Sequence, residues 1–197
     1  MKGLRTIDLT YGAVFVVLMA IGANITVWFP MLAVPIGGTS VPLSLQTFFA
    51  ILAGLMLGRK LGTLSVLVYI LVGFAGVPVF AGLSAGPTAL LTPTGGFIIS
   101  FIFVAYFTGW MVDKRKESSL FYYLLAALVG TIINYGIGVS YMYVALNTWL
   151  AAPITYPLAW ASMIPFLIKD IAFAGLTALF MVRIATRIPA VRQAKIG

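Results

Sequence analysis

The sequence predicts an all-α integral membrane protein of six transmembrane helices with both termini in the cytoplasm. Three observations carry this. Apolar residues make up 62% of the 197 positions and charged residues only 8%, whereas a soluble domain is about half apolar and about a quarter charged. Several apolar runs approach or exceed the ~20 residues that cross a hydrocarbon core. Lys and Arg occupy alternate connections between those runs and are absent from the others, the asymmetry that fixes orientation under the positive-inside rule.

Each span follows in order. Leu9–Phe29 is preceded by Lys2 and Arg5. It is too long for the apolar core of a secretory signal, and further spans follow it, so it reads as a mature span. The connection 30–42 carries no Lys or Arg. Leu43–Leu57 is short, which suits a span that is tilted or packed against its neighbours rather than lipid. Arg59 and Lys60 separate it from Leu61–Val77. The uncharged stretch 78–94 leads to Gly95–Val112, and Lys114, Arg115 and Lys116 then precede Leu120–Leu146. That span is long enough to extend beyond the membrane. Uncharged residues 147–157 lead to Leu158–Ile184, and Arg183, Arg187, Arg192 and Lys195 close the chain. The tail cations are placed to rest on anionic headgroups. The net charge of +8 therefore belongs to a membrane surface and not to a nucleic-acid partner. With no internal repeat, residues 1–197 read as a single transmembrane domain.

The connections at 30–42 and 78–94 are apolar and rich in Gly and Pro, unlike solvated loops. Backbone at membrane depth is tolerated where it is buried in protein or lines a cavity, and loops of this length are uncommon without a function. Both are expected to fold over the outer face as a cap; a membrane-skimming linker is the alternative.

Chemistry is tightly bounded. With no Cys and no His, the chain lacks disulfides, thiolate metal sites and imidazole acid–base catalysis. Its carboxylates are Asp8, Asp113, Glu117 and Asp170. No phosphate-binding glycine loop, metal cluster or nucleophile–base pair is visible, so the chain is expected to be neither an enzyme nor a metal or cofactor carrier. The expensive residues are Lys169 and Asp170, side by side in the sixth run. An ionisable residue inside a span costs a few kcal/mol or more and usually marks a substrate or ion path. A self-neutralising pair is awkward, because side chains at i and i+1 do not face each other on a helix. Outward snorkelling of the lysine is the other alternative. Asp170 lies 13 residues before Arg183, roughly 20 Å along a helix, which puts the pair in the outer half of the membrane. Pro165 is placed to break the helix there and free backbone groups. Gln46, Asn134 and Tyr135 fall at similar depth; for Asn134, hydrogen bonding between helices is an equal alternative to a binding role. Trp28, Tyr141, Tyr143, Trp149, Tyr156 and Trp160 cluster near outer ends as an interface belt. The implied cavity suits a ligand with a carboxylate and N–H donors on an apolar body. Lys169 would take the carboxylate and Asp170 the N–H groups.

The stretch Val41–Gly62, the stretch Gly73–Gly82 with Leu91–Phe97, and Pro165–Asp170 together resemble the signatures of the BioY family of biotin transporters, from about Ala13 to Ala178. The resemblance implies an S-component-like six-helix bundle in the bacterial cytoplasmic membrane. It would bind biotin near the extracellular side, with the loop after span three closing the site. It adds Phe80, Gly82, Gly95 and Gly96 to Asp170, Lys169, Asn134, Tyr135 and Gln46 as candidate substrate-binding residues. It implies a transmembrane T subunit and two cytoplasmic ATPases of an energy-coupling factor (ECF) transporter as partners, with ATP used only by those subunits. Two positions depart from the family pattern. Phe173 stands where a lysine commonly follows the aspartate, and Val17 stands where an alanine would pair with Ala13. A self-sufficient facilitator of biotin or another carboxylated vitamin is the second reading.

Overall fold

Residues 5–36, 39–114 and 119–185 are described by the computed structural model. Lys2, Arg115, Lys116, Glu117, Arg187, Arg192 and Lys195 lie outside them. The helices are α1 (Thr6–Ala23), the one-turn α2 (Ile25–Trp28), α3 (Gln46–Phe74), α4 (Gly95–Asp113), α5 (Leu120–Thr148) and α6 (Tyr156–Ala185). Five of them, all but α2, are long and apolar enough to cross a membrane. Large apolar side chains such as Leu71, Phe121, Ile132 and Ile168 are exposed on the outside of the bundle. Ser100, Thr108, Thr131, Asn134 and Thr177 are buried inside it. This inversion suits lipid as solvent, because hydrocarbon penalises unpaired polar groups and not exposed leucines. The protein is a multi-pass membrane protein. α4 packs between α3 and α5, α6 packs on α5, and α1 packs on α3.

α3 is not one rod. Gln46 Nε2 donates to Tyr69 Oη at 2.9 Å, although 23 residues of straight helix would separate them by roughly 35 Å. The chain doubles back at Gly58, whose φ of +75° and ψ of 176° are open to glycine and strained for other residues. Gly62 then lies against the backbone of Ala53 and Gly54, where a Cβ would stand 2.7 Å from the Ala53 carbonyl oxygen. Asp113, at the end of α4, secures the turn by accepting from the Arg59 amide at 3.1 Å. The first limb, residues 46–57, is buried or half-buried throughout, so this short segment packs against protein and not lipid. Pro165 does not break α6 as expected: the helix runs through it from Tyr156 to Ala185. Bundle neighbours commonly support a proline within a membrane helix.

The outer connections are built differently from each other. β1 (Ala33–Ile36) pairs antiparallel with β2 (Thr39–Pro42), Ala33 opposite Pro42 and Ile36 opposite Thr39. This is the one departure from an all-helical chain among the described residues. Val, Ile and Thr flanking Gly37–Gly38 are a hairpin signal that an all-α expectation passes over. The connection from α3 to α4 contains short 3-10 turns at Ala81–Leu83 and Pro87–Leu91 and lies across the bundle as a lid. Its first half is tied to α1: the Leu83 amide donates to Asn24 Oδ1 at 2.7 Å, and Asn24 Nδ2 donates to the Val79 carbonyl at 3.3 Å. Its second half is tied to α5, where Tyr141 Oη donates to the Leu90 carbonyl and Trp149 Nε1 to the Leu91 carbonyl. Tyr141 and Trp149, expected only as belt residues, thus hold the lid. Arg5, Arg59, Lys60, Lys114 and Arg183 mark the helix ends away from the lid.

Candidate functional site

The α3 and α6 segments nearest the lid, with α4 and α5, enclose a cavity of about 380 Å³ beneath it. That size falls within the usual range of small-molecule sites, about 300–1,000 Å³. Phe97, Ile98, Phe101, Met163 and Phe166 make its wall largely apolar, and Phe80, Ala89, Thr92 and Thr94 of the lid roof it. Phe80 is fixed by its surroundings. Its ring stands edge-on to Tyr69 at 5.6 Å and to Phe74 at 5.9 Å. It covers Gly73 so closely that a Cβ there would lie 2.2 Å from the ring.

The charged pair faces this cavity from α6. Asp170 is 4% exposed, and its Oδ1 stands 2.8 Å from Lys169 Nζ. The two neighbours do pair, contrary to the helix-face argument, because the four-carbon lysine stem is long enough to curl over the helix surface. The snorkelling alternative also fails, since Lys169 turns inward and donates to the Ser44 carbonyl just ahead of α3. Tyr135 on α5 donates to Asp170 Oδ2 at 2.8 Å, and Phe97 orients the Tyr135 ring edge-to-face at 5.8 Å. Oδ1 has the lysine charge beside it but, among the described residues, no well-directed hydrogen-bond donor. It is a buried carboxylate oxygen held by the lysine charge alone.

Asn134 is one residue from Tyr135 yet belongs to a separate neutral cluster. Its Nδ2 donates to Thr47 Oγ1 at 3.1 Å, and its Oδ1 accepts from Ser100 Oγ at 2.6 Å. Gln46 joins the lid to the pair's anchor: its Oε1 accepts from Ser44 Oγ at 2.9 Å, its Nε2 donates to Tyr69 Oη, and Tyr69 Oη donates to the Val79 carbonyl at 3.0 Å.

Of the sequence candidates, Asp170, Lys169, Asn134, Tyr135, Gln46 and Phe80 come together on the cavity wall. Gly82, Gly95 and Gly96 are not on it. Gly82 sits exposed in the lid at φ +71°. Gly95 backs onto the Leu90 backbone and Gly96 onto the Tyr141 side chain, each leaving 2.2 Å for an added Cβ. Their contribution is close approach, which seats the lid on α4 and α5. The sequence reading missed Asn24, Ser44, Thr47 and Ser100. Asn24 carries the signal used for Asn134, an amide inside an apolar run; the hydroxyls carry none, because Ser and Thr commonly bond their own helix backbone.

A largely apolar cavity with an ion pair and two amides on its wall, inside a lipid-facing helical bundle and roofed by a pinned lid, defines a membrane-embedded solute-binding protein. The comparisons narrow the class. The model of the BioY family matches residues 1–190, and the chain belongs to that family. It is 46% identical over 173 residues, 88% of this chain and 84% of the relative, to a putative biotin transporter, BioYB, of Bacillus subtilis. It is 38% identical to a probable biotin transporter BioY of Pyrococcus horikoshii, covering 87% of this chain and 92% of that one. The fold is similar to the crystal structure of an S-component for biotin from an ECF-type ABC transporter, with a TM-score of 0.78 and 25% identity, over 94% of this chain and 96% of that one.

Proposed function

We propose that this chain is the biotin-capturing S component of an ECF transporter. The observation that carries the reading is the buried Asp170–Lys169 pair on the wall of a largely apolar cavity. Biotin presents two ureido N–H groups and a ureido carbonyl on an apolar bicycle, with a carboxylate at the far end of its chain. An ion pair only 2.8 Å wide meets one end of such a ligand. Asp170 therefore accepts a ureido N–H and Lys169 donates to the ureido oxygen, which revises the expectation that Lys169 takes the carboxylate. The carboxylate then lies toward the lid hydroxyls of Ser84, Thr92 and Thr94, which line the same cavity. Burial of both charges makes their hydrogen bonds to the ligand strong and directional.

The membrane topology in this reading is six crossings with both termini cytoplasmic. It is supported by the doubling of α3 at Gly58 and by basic residues at the helix ends remote from the lid. Capture faces outward, and an ECF T subunit with two ATPases drives delivery inward, since no ATP-binding loop occurs in this chain.

Calorimetric titration of biotin into the purified protein tests the capture reading; a folded protein that takes up no biotin heat would sink it. Uptake of labelled biotin into liposomes containing this chain alone separates capture from self-sufficient transport. No uptake is expected, and steady accumulation would favour the facilitator.

A further inference from the structure

The two halves of the lid are held by different parts of the bundle and in different surroundings. The first half is fastened from inside. The Val79 carbonyl accepts from Tyr69 and Asn24, and the Leu83 amide donates to Asn24. Asn24 and Tyr69 are both buried. Loss of such bonds leaves buried groups unpaired, at the full cost of desolvation. The second half, residues 87–94, is fastened from the outer end of α5, by Tyr141 to the Leu90 carbonyl and Trp149 to the Leu91 carbonyl at 2.8 Å. The Trp149 side chain is 45% exposed, and the two rings meet edge-on at 5.8 Å. Neither ring lines the cavity. Tyr141 is half-buried and its bond to Leu90 partly so; at the exposed Trp149 end, water replaces a broken bond at little cost. The second half nevertheless carries Ala89, Thr92 and Thr94 to the cavity roof.

We infer that Tyr141 and Trp149 are positioning residues that latch the second half of the lid, and that this half alone swings away to admit and release the solute while the half held by Asn24 stays in place. The solute named in the test rests on the biotin reading above; the latch itself does not. A latch that holds one closed lid whether or not solute is bound would, when lost, speed entry and exit together and leave affinity nearly unchanged.

The test uses the full chain in lipid nanodiscs, comparing the parent with Tyr141→Phe, Trp149→Phe and the double variant. Each substitution removes one donor and keeps an aromatic ring, so the packing of residue 141 on Gly96 survives. Rapid-mixing measurements with biotin are expected to give association and dissociation rates each raised about threefold by a single variant and about tenfold by the pair, at nearly constant Kd. Hydrogen exchange on the ligand-free protein is expected to quicken at residues 87–94 and to stay at the parental rate at 79–84. Unchanged exchange at 87–94 in a folded double variant would overturn the latch. So would faster dissociation with unaltered association, which would make the contacts a feature of the filled state only. A parent that binds no biotin would overturn the solute assignment, and the exchange result would then decide the latch by itself.

Discussion

Asn134 and Tyr135 are consecutive on α5, but they open onto networks of opposite character. Asn134 joins α5 to α3 and α4 through Thr47 and Ser100. Every group in that cluster is neutral, and both ends of the amide are engaged within the protein. Tyr135 joins α5 to α6 through Asp170, whose second oxygen faces Lys169 and the cavity without a directed donor. Depth in the membrane is nearly the same for both. The difference lies in charge: in the first network both ends of a neutral amide already have a protein partner, and in the second an ion pair stands on the cavity wall. Within a span, charge on a cavity wall therefore marks a binding site more strongly than a satisfied neutral amide.

Substitutions measure that contrast. Asp170→Asn is expected to have the largest effect, because it strands the half-buried ammonium of Lys169. A hydrogen bond to a charged group is worth about 1.5–3 kcal/mol, so calorimetry should give biotin binding weaker by up to about a hundredfold. Affinity equal to the parent's would return Asp170 to a packing role. Lys169→Met leaves the carboxylate without its counter-charge, and the same titration should lose about thirtyfold. Tyr135→Phe removes one hydrogen bond to an anion while keeping the ring against Phe97, and a loss of about tenfold is expected. Asn134→Ala should divide the two networks most sharply. Its thermal midpoint in detergent should fall, by the roughly 1 kcal/mol typical of a hydrogen bond between membrane helices, while biotin affinity stays within about threefold. A larger affinity loss than that of Tyr135→Phe would reverse the comparison and make Asn134 a ligand contact.

Much of this was legible in the sequence, for definable reasons. Burying charge in lipid is so costly that Lys169 and Asp170 stood out in an apolar run, and the structure sets them on a cavity wall. Apolar outer connections suggested a cap, and Phe80, Ala81, Ser84, Ala89, Thr92 and Thr94 of the second of them line that cavity. Local rules misled where a long side chain or a tertiary contact overrode them. The i, i+1 rule discounted the Lys169–Asp170 pair because it considers helix faces and not the reach of a lysine. Pro165 signalled a break that the surrounding helix does not make. The belt assignment of Tyr141 and Trp149 was a statement about depth, and depth says nothing of which carbonyls lie within reach. Thr47 and Ser100 meet Asn134 across 87 and 34 residues, and the Ser44 carbonyl meets Lys169 across 125, partners that no local pattern announces.

The reversal at Gly58 also constrains how the protein is made. The limb of residues 46–57 has 12 positions, about 18 Å of helix, against a hydrocarbon core of about 30 Å. It is too short to partition into a bilayer by itself as it leaves the ribosome. Its return limb, residues 59–74, packs back on it at Gly62, and the two limbs are expected to enter the bilayer as one unit. A side chain at residue 58 would meet Asp113 Oδ1 at 2.6 Å and a backbone angle that disfavours it. Gly58→Val should therefore lower the yield of inserted protein far more than the biotin affinity of the molecules that do insert, as quantitative blotting of membranes alongside titration would reveal. Biogenesis, and not only recognition, is written into that turn.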